Sequence, residues 1–163
     1  MANSEPAVGS PASPSPAEVD AVLLAAQLLV SVTARSVAAV EPEISLPQLR
    51  VLVILASEGP RSLGAVARQL GVHPSNATRA CDRLVQAGLL SRNENPTDRR
   101  QVRLELTALG RRVIESVMNH RRTQVEDLLE RVPREHRAAL VPGLRSLAEA
   151  GGENVHRPAW LFD

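Results

Sequence analysis

Short polar side chains and arginines cluster in one stretch of this sequence, in an arrangement that suits contact with nucleic acid. Between Pro74 and Gly88, the residues outside an apolar stripe include Ser75, Asn76, Thr78, Arg79 and Arg83. Small polar residues let a helix approach DNA closely, Asn can pair with an adenine edge, and Arg can pair with guanine or a phosphate. We interpret the segment as a candidate recognition helix; the alternative is an ordinary solvated surface helix.

A second cluster follows, in which two adjacent arginines end a polar segment. This segment, 93–100, reads NENPTDRR and is rich in turn formers. Arg99 and Arg100 repel each other at a hairpin tip unless an anion lies nearby, and a narrow DNA minor groove supplies one. Asp98 could brace the guanidinium of Arg100 through a charge-assisted hydrogen bond. The alternative is a soluble charged turn.

Two short helices joined by a tight turn would position the first cluster. Apolar residues recur from Leu63 to Leu70 at the spacing of one helix face. Ser62 can cap this helix, and Gly71 can end it by taking the left-handed conformation. Pro74 suits the first turn of the next helix, which we predict to reach about Ala87. The apolar stripe of that second helix comprises Ala77, Ala80, Cys81, Leu84 and Val85.

A β-hairpin would position the second cluster. Leu89 and Leu90 open one short strand, and Val102, Leu104 and Leu106 alternate with charged residues, as in a half-buried strand. Residues 61–63 could add a third short strand. Helix, turn, helix and hairpin in this order predict a winged helix-turn-helix, which places one helix in the DNA major groove.

The sequence resembles the MarR (multiple antibiotic resistance regulator) family over about residues 17–150. The resemblance is carried by NPTDRR at 95–100, by Val102 to Thr107 with Gly110, and by LPQLRVL at 46–52, VARQLGV at 66–72 and RLVQAGLLSR at 83–92. It implies that Arg100 enters the minor groove with Asp98 as its brace, and that Ser75, Asn76, Thr78 and Arg79 face the major groove. His73 departs from the small capping residue that is frequent in the family. We expect a looser helix start there, or a contact between His73 and a phosphate.

Long helical segments flank this module. We predict a disordered tail (1–16), a helix (17–40), the DNA-binding module (about 45–107), helices at 108–132 and 134–150, and a C-terminal tail (151–163). The surplus apolar surface of the outer helices favours a homodimer. Pro142 predicts a kink or break in the last helix, because proline removes a hydrogen bond there. Trp160 and Phe162 would either dock on the dimerisation helices or remain in solvent.

Charge is distributed unevenly along the chain. Residues 61–112 hold ten Arg and four acids, an excess of six positive charges, whereas the entire chain carries +1. This asymmetry predicts a nucleic-acid face in the middle of the chain. All 19 basic residues are Arg and Tyr is absent, which suggests a GC-rich coding sequence and a bacterial source. One cysteine excludes an internal disulfide and fits a reducing cytoplasm.

The sequence offers no support for catalysis, a metal or a membrane. None of the four His residues has a partner at metal-ligand spacing, and neither a phosphate loop nor a nucleophile elbow is found. We expect no enzyme and no cofactor. We expect no membrane span, because no apolar run approaches the ~20 residues that one needs, and the start does not resemble a signal peptide. Cys81 is interpreted as an inert packing residue, with a redox-sensing regulator as the alternative.

These patterns together predict a mainly α protein with a small β-hairpin wing and with dimerisation helices at both ends. We expect a cytoplasmic transcriptional regulator, a repressor, that binds a palindromic site in double-stranded DNA as a homodimer. A small-molecule effector between the dimer helices and the DNA-binding module could release it. The alternative from another class is a winged-helix protein-interaction module without a DNA role. Arg99 and Arg100, together with Asn76 and Arg79, favour DNA, because a protein-docking wing would not require them.

Overall fold

The computed structural model of the protein describes residues 13–40, 42–95 and 98–152, with backbone only at 94–101. Its elements are α1 (Pro16–Ala38), α2 (Leu46–Glu58), β1 (Arg61–Ser62), α3 (Leu63–Leu70), α4 (Pro74–Gln86), β2 (Leu90–Asn95), β3 (Asp98–Leu106), α5 (Ala108–Glu130) and α6 (Arg134–Ala150). The predicted mainly helical fold with a small antiparallel wing is confirmed. The chain separates into two units, one ending at Ser31 and the other beginning at Val32.

Helix α1 begins with a capping box. The backbone N–H of Ser15 donates to Glu18 Oε2 at 2.7 Å, and the N–H of Glu18 donates to Ser15 Oγ at 3.3 Å. Large apolar side chains on this helix are exposed, among them Val19, Val22, Leu23, Leu24, Leu28 and Val30. Within the described ranges, α1 is the helix long and apolar enough to cross a membrane. The expectation that no apolar run approaches that length was therefore wrong, because Ala, Ser, Thr and Gln between the leucines and valines do not interrupt it.

The core of the second unit is aliphatic and is built around α2. Ser45 and Gln48 form a second capping box at its start. The buried residues of α2 are Leu49, Val51, Leu52 and Leu55. Leu46 is exposed, and Val53 is only half-buried. Helix α2 contacts α3, α4, α5 and β3, so it joins the helix-turn-helix to the wing.

The sheet has strand order β1-β3-β2 and is antiparallel throughout. Arg61 lies opposite Leu104, which confirms the third short strand, and Leu90 lies opposite Leu106. Leu104 and Leu106 are buried as predicted, but Val102 is 51% exposed. The alternation of buried and exposed residues therefore holds at Leu104 and Leu106, near the base of the hairpin, and does not extend to Val102.

A close backbone approach joins the sheet to α5. Thr107 Oγ1 accepts from the Gly110 N–H at 3.0 Å and donates to the Gly88 carbonyl at 2.7 Å. A Cβ atom at Gly110 would overlap the carbonyl oxygen of Leu89 and lie 3.1 Å from Leu106 Cδ2. Glycine is therefore required where the start of α5 passes Leu89, directly before β2.

Helix α6 differs from its prediction. It runs without a break from Arg134 to Ala150 with Pro142 inside it, so of the predicted kink or break, the break was wrong. None of its residues is buried, so water can reach the Ala138 carbonyl that proline leaves without its helical partner. Arg137 ties the start of α6 to the end of α5, since its Nε donates to the Val132 carbonyl at 2.8 Å.

Several predictions on the chain ends fall outside the described residues. Of the predicted N-terminal tail, residues 1–12 are outside the described residues, and residues 13–15 are exposed. The predicted C-terminal tail lies there from residue 153 onward, and it includes Trp160 and Phe162.

Candidate nucleic-acid interface

The turn between α3 and α4 forms as its residue types predict. Ser62 Oγ accepts from the Ala65 N–H at 3.3 Å at the start of α3. Gly71 ends that helix with φ of 65°, in the left-handed region that glycine adopts without strain. Val72 then donates its N–H to the Ala67 carbonyl at 3.2 Å. These contacts hold α4 at a defined angle to α3.

His73 caps α4 despite being an unusual residue for this position. Its Nδ1 accepts from the Ser75 N–H at 3.3 Å and lies 2.9 Å from Ser75 Oγ. The expectation of a looser helix start was therefore wrong, because a ring nitrogen replaces the usual hydroxyl or carboxylate oxygen. Ser75 consequently has a partner in the residue that caps its own helix.

Helix α4 separates a buried face from a polar face. Ala77, Cys81 and Leu84 are buried, and Ala80 and Val85 are half-buried. The predicted contact residues lie on the other faces: Ser75, Asn76, Arg79 and Arg83 are exposed, and Thr78 is half-buried.

The polar face is linked by hydrogen bonds within the helix. Arg79 Nη2 donates to Asn76 Oδ1 at 2.8 Å, and Thr78 Oγ1 donates to the Pro74 carbonyl at 2.8 Å. The amide N–H groups of Asn76 and the remaining N–H groups of Arg79 are left to donate outward. The pair can therefore present several donors to base-edge acceptors as one unit.

An ion pair joins the wing to this helix. Arg92 on β2 pairs with Asp82 on α4, and nearby Asn93 Nδ2 donates to Glu105 Oε2 at 2.9 Å. Sequence reasoning did not find the Asp82–Arg92 pair. The only indication of it in the sequence is that two oppositely charged residues stand ten positions apart. Their pairing depends on the direction in which β2 leaves α4.

The arginines of the predicted wing tip belong to a strand. Asp98, Arg99 and Arg100 begin β3, and Asn95 lies opposite Asp98. The prediction that all of residues 93–100 form the tip was therefore wrong, because strand pairing extends beyond Asn93. The proposed brace between Asp98 and Arg100 concerns side chains that lie outside the described residues.

Cys81 lies on the buried face of α4 and is fully inaccessible to solvent. Burial raises the pKa of its thiol to about 11; Arg92 acts in the opposite direction, and Asp82 adds to the rise. Since the thiolate is the nucleophilic form, a buried protonated thiol reacts poorly with oxidants. Among the described residues, no group of three His, Cys, Asp or Glu is placed to hold a metal ion.

Comparison with known proteins agrees with this geometry. The model of the MarR family matches residues 44–102, from the start of α2 into β3. The crystal structure of RV1404 from Mycobacterium tuberculosis is 42% identical, covering 89% of this chain and all of that one, with a TM-score of 0.81. A MarR family protein from Bacillus stearothermophilus is 25% identical, covering 84% of this chain and 95% of its own, with a TM-score of 0.74.

A curated relative adds a named function. The HTH-type transcriptional repressor MdtR from Bacillus subtilis (strain 168) is 37% identical over 75 residues. The match spans 46% of this chain and 48% of the relative. The chain thus spans about half of that repressor's length.

Proposed function

The chain belongs to the MarR family of transcriptional regulators, and we propose that it acts as a repressor that binds a palindromic operator as a homodimer. One observation carries the DNA-binding proposal: α4 exposes Asn76, Arg79 and Arg83 opposite a stripe of buried residues. In a winged helix-turn-helix, that face is the one that enters the major groove. The repressor role is supported by the name of MdtR.

We assign distinct contacts to the two parts of the interface. On α4, Asn76 and Arg79 would read base edges, while Ser75, Thr78 and Arg83 would contact bases or phosphates beside them. On the wing, Arg100 would enter the minor groove, with Asp98 bracing it and Arg99 beside it. We propose double-stranded DNA, a second copy of the chain and a small-molecule effector as partners, in the cytoplasm.

The homodimer is supported by the terminal helices. Apolar side chains on α1 are exposed, and so are Leu140, Val141, Leu144 and Leu147 on α6. A helix with no buried residue gains little from tertiary packing, and a second copy would supply it. Pairing between two copies would also account for the long, exposed apolar surface of α1, with no need for a membrane.

Dimerisation is tested by sedimentation and by one charged substitution. The protein should sediment at twice its monomer mass of 17.5 kDa. Val141→Glu, on α6, should dissociate it, because a carboxylate would be buried in the interface. Val102→Glu is the matched control, since that valine is similarly exposed, 51% against 60%, but lies on the wing. A wild-type monomer that binds the operator tightly would contradict the proposal.

The operator itself is tested by selection from random DNA with the purified protein. Two recognition helices on one side of B-DNA require half-site centres about 34 Å apart, or about 10 bp. We expect an inverted repeat of roughly two turns, with AT-rich steps favoured at its ends, and affinity that falls steeply as salt rises. A single asymmetric half-site would contradict the two-fold arrangement. Failure to enrich any sequence would favour a protein-interaction module.

A further inference from the structure

The hydrogen bond between Asn76 and Arg79 determines which groups α4 can offer to a base. Arg79 Nη2 donates to Asn76 Oδ1 at 2.8 Å. The two residues stand three positions apart on one face of the helix, and both side chains are exposed. A guanidinium has only N–H donors, so the atom of the amide that meets it must be the oxygen. The NH2 group of Asn76 therefore remains for a base.

The pair lies at the end of α4 that would enter the groove. Asn76 is in the first turn, two residues after Pro74, and Arg79 follows one turn later. In a helix-turn-helix, the N-terminal residues of the recognition helix contact base edges in the major groove. Among the described residues Arg79 forms no ion pair, and Asp82, the one acidic residue of α4, pairs with Arg92. The charge of Arg79 is therefore left for DNA.

This arrangement opposes adenine as the base next to Asn76. An asparagine reads adenine by accepting from the amino group at N6 while it donates to N7. Here the amide oxygen already accepts from a charged donor, and that bond is stronger than one from a neutral amino group. The oxygen has a second lone pair, but an adenine amino group on it would lie beside the guanidinium, whose N–H groups also carry positive charge. The usual contact between asparagine and adenine is therefore unfavourable at this position.

Guanine matches the groups that the pair presents. Its major-groove edge carries two acceptors, O6 and N7, whereas thymine carries one acceptor and cytosine offers only a donor. The NH2 group of Asn76 and the remaining N–H groups of Arg79 are all donors. The base that satisfies most of these donors is therefore guanine.

We propose that Asn76 and Arg79 act as one unit that selects guanine and rejects adenine at the base of each half-site nearest to Asn76. The assignment rests on the proposed function, since it requires α4 in the major groove. It differs from the pairing with an adenine edge that an asparagine suggests by residue type alone. Arg79 determines the base in two ways: it contacts DNA itself, and it occupies the oxygen that Asn76 would need for adenine.

The base that Asn76 contacts is located by comparing two selections from random DNA, one with the wild-type protein and one with Asn76→Ala. The position at which the variant loses its base preference is the position that Asn76 reads. The wild-type protein should select guanine there, and adenine at that position should weaken its binding about tenfold or more. Selection of adenine by the wild-type protein, or no position that depends on Asn76, would overturn the proposal.

The role of the hydrogen bond is tested by Arg79→Ala, which frees the amide oxygen of Asn76. The ratio of affinities for guanine and adenine at the Asn76 position should then move toward adenine by about tenfold. Arg83→Ala is the matched control, because Arg83 is an exposed arginine of the same helix and its loss leaves the bond between Asn76 and Arg79 intact. It should weaken binding and keep the preference for guanine. An unchanged preference in Arg79→Ala, or an equal change in both variants, would show that Arg79 does not govern the choice of Asn76.

The acceptor edge of the base is tested with modified operators. Replacing that guanine by 7-deazaguanine removes the N7 acceptor and should raise the Kd of the wild-type protein about tenfold. Inosine keeps O6 and N7 and lacks only the amino group in the minor groove, so it should bind as well as guanine. Full affinity for the 7-deazaguanine operator would contradict the contact.

The outcomes separate this proposal from the proposed function. An enriched inverted repeat that carries adenine at the Asn76 position would refute the base preference and leave the DNA-binding role standing. Failure to enrich any sequence would refute the DNA-binding role, and the base preference with it.

Discussion

The guanidinium of Arg92 on β2 pairs with the carboxylate of Asp82 on α4, and so connects the wing to the proposed recognition helix. Both side chains are nearly half exposed, at 46% and 42%. An ion pair of this kind contributes only about 0.2–1 kcal/mol to folding. Its larger effect should be on orientation, because it fixes where the hairpin stands relative to the face of α4 that would read bases.

We predict that Arg92→Gln lowers the free energy of unfolding by less than about 1 kcal/mol, but weakens operator binding by about 1 kcal/mol per half-site. Denaturant unfolding and fluorescence anisotropy measure the two quantities. Arg61→Gln is the matched control, because the Arg61–Glu58 pair is similarly exposed, at 40% and 38%, and does not involve α4. Asp82→Asn should weaken operator binding by the same amount as Arg92→Gln. The double variant should bind the operator no more weakly than either single variant. Tighter DNA binding by Asp82→Asn would show that Arg92 acts by direct contact instead.

Gly110→Ala should destabilise the protein by about 1–3 kcal/mol or more. The added Cβ would overlap the Leu89 carbonyl oxygen, a backbone atom that cannot rotate away. Gly64→Ala, at an exposed position of α3, places its Cβ 3.8 Å from the flexible end of Arg68. It should stabilise by about 0.5–1 kcal/mol by restricting the unfolded chain. Urea unfolding checks both, and equal effects would contradict the packing described at the start of α5.

Stability should fall between pH 9 and pH 11 because of Cys81. Burial raises the pKa of its thiol from 9.0 to about 11, so the folded state binds the proton more tightly than the unfolded state. The resulting stabilisation is complete below pH 9 and is lost as the pH rises through 11. The chain has neither Lys nor Tyr, so no other side chain has a usual pKa in this interval.

Cys81→Ala should remove most of that pH dependence in denaturant unfolding. Wild-type protein should also keep its DNA affinity after treatment with peroxide, because the thiol is protonated and inaccessible. Release of the wild-type protein from DNA by peroxide, with no release of Cys81→Ala, would establish the redox-sensing alternative.

Arg100→Ala should weaken operator binding by about 1–3 kcal/mol per half-site. It should leave the free energy of unfolding unchanged, because its proposed partner is the minor groove. The dependence of affinity on salt should become shallower, since fewer counterions are released. Arg131→Ala, at the far end of α5, controls for loss of charge alone. An unaltered electrophoretic shift for Arg100→Ala would exclude Arg100 from the interface.

The helices and strands could be predicted from the sequence because the features that start and end them act over a few residues. The caps at Ser15, Ser45, Ser62 and Thr107 each depend on a side chain and a backbone N–H three positions away. His73 was misjudged, since its capping depends on which ring atom faces Ser75.

Features that depend on tertiary position could not be predicted in this way. Val102 follows the same alternation as Leu104, but the core does not extend that far along the hairpin. The Asp82–Arg92 pair requires knowing where β2 leaves α4. Pro142 is tolerated because the surroundings of α6 are open, and nothing in the neighbouring sequence reports that exposure.

The absence of any buried residue in α6 has a consequence for the amount of regulator in a cell. If its packing comes from a second copy, a newly made subunit carries a marginal helix until it meets its partner. Unpaired subunits would then be cut preferentially by proteases, whereas paired ones would persist. The steady-state pool would then consist mainly of dimers. The fraction of operator that is occupied would rise more steeply than the rate of synthesis.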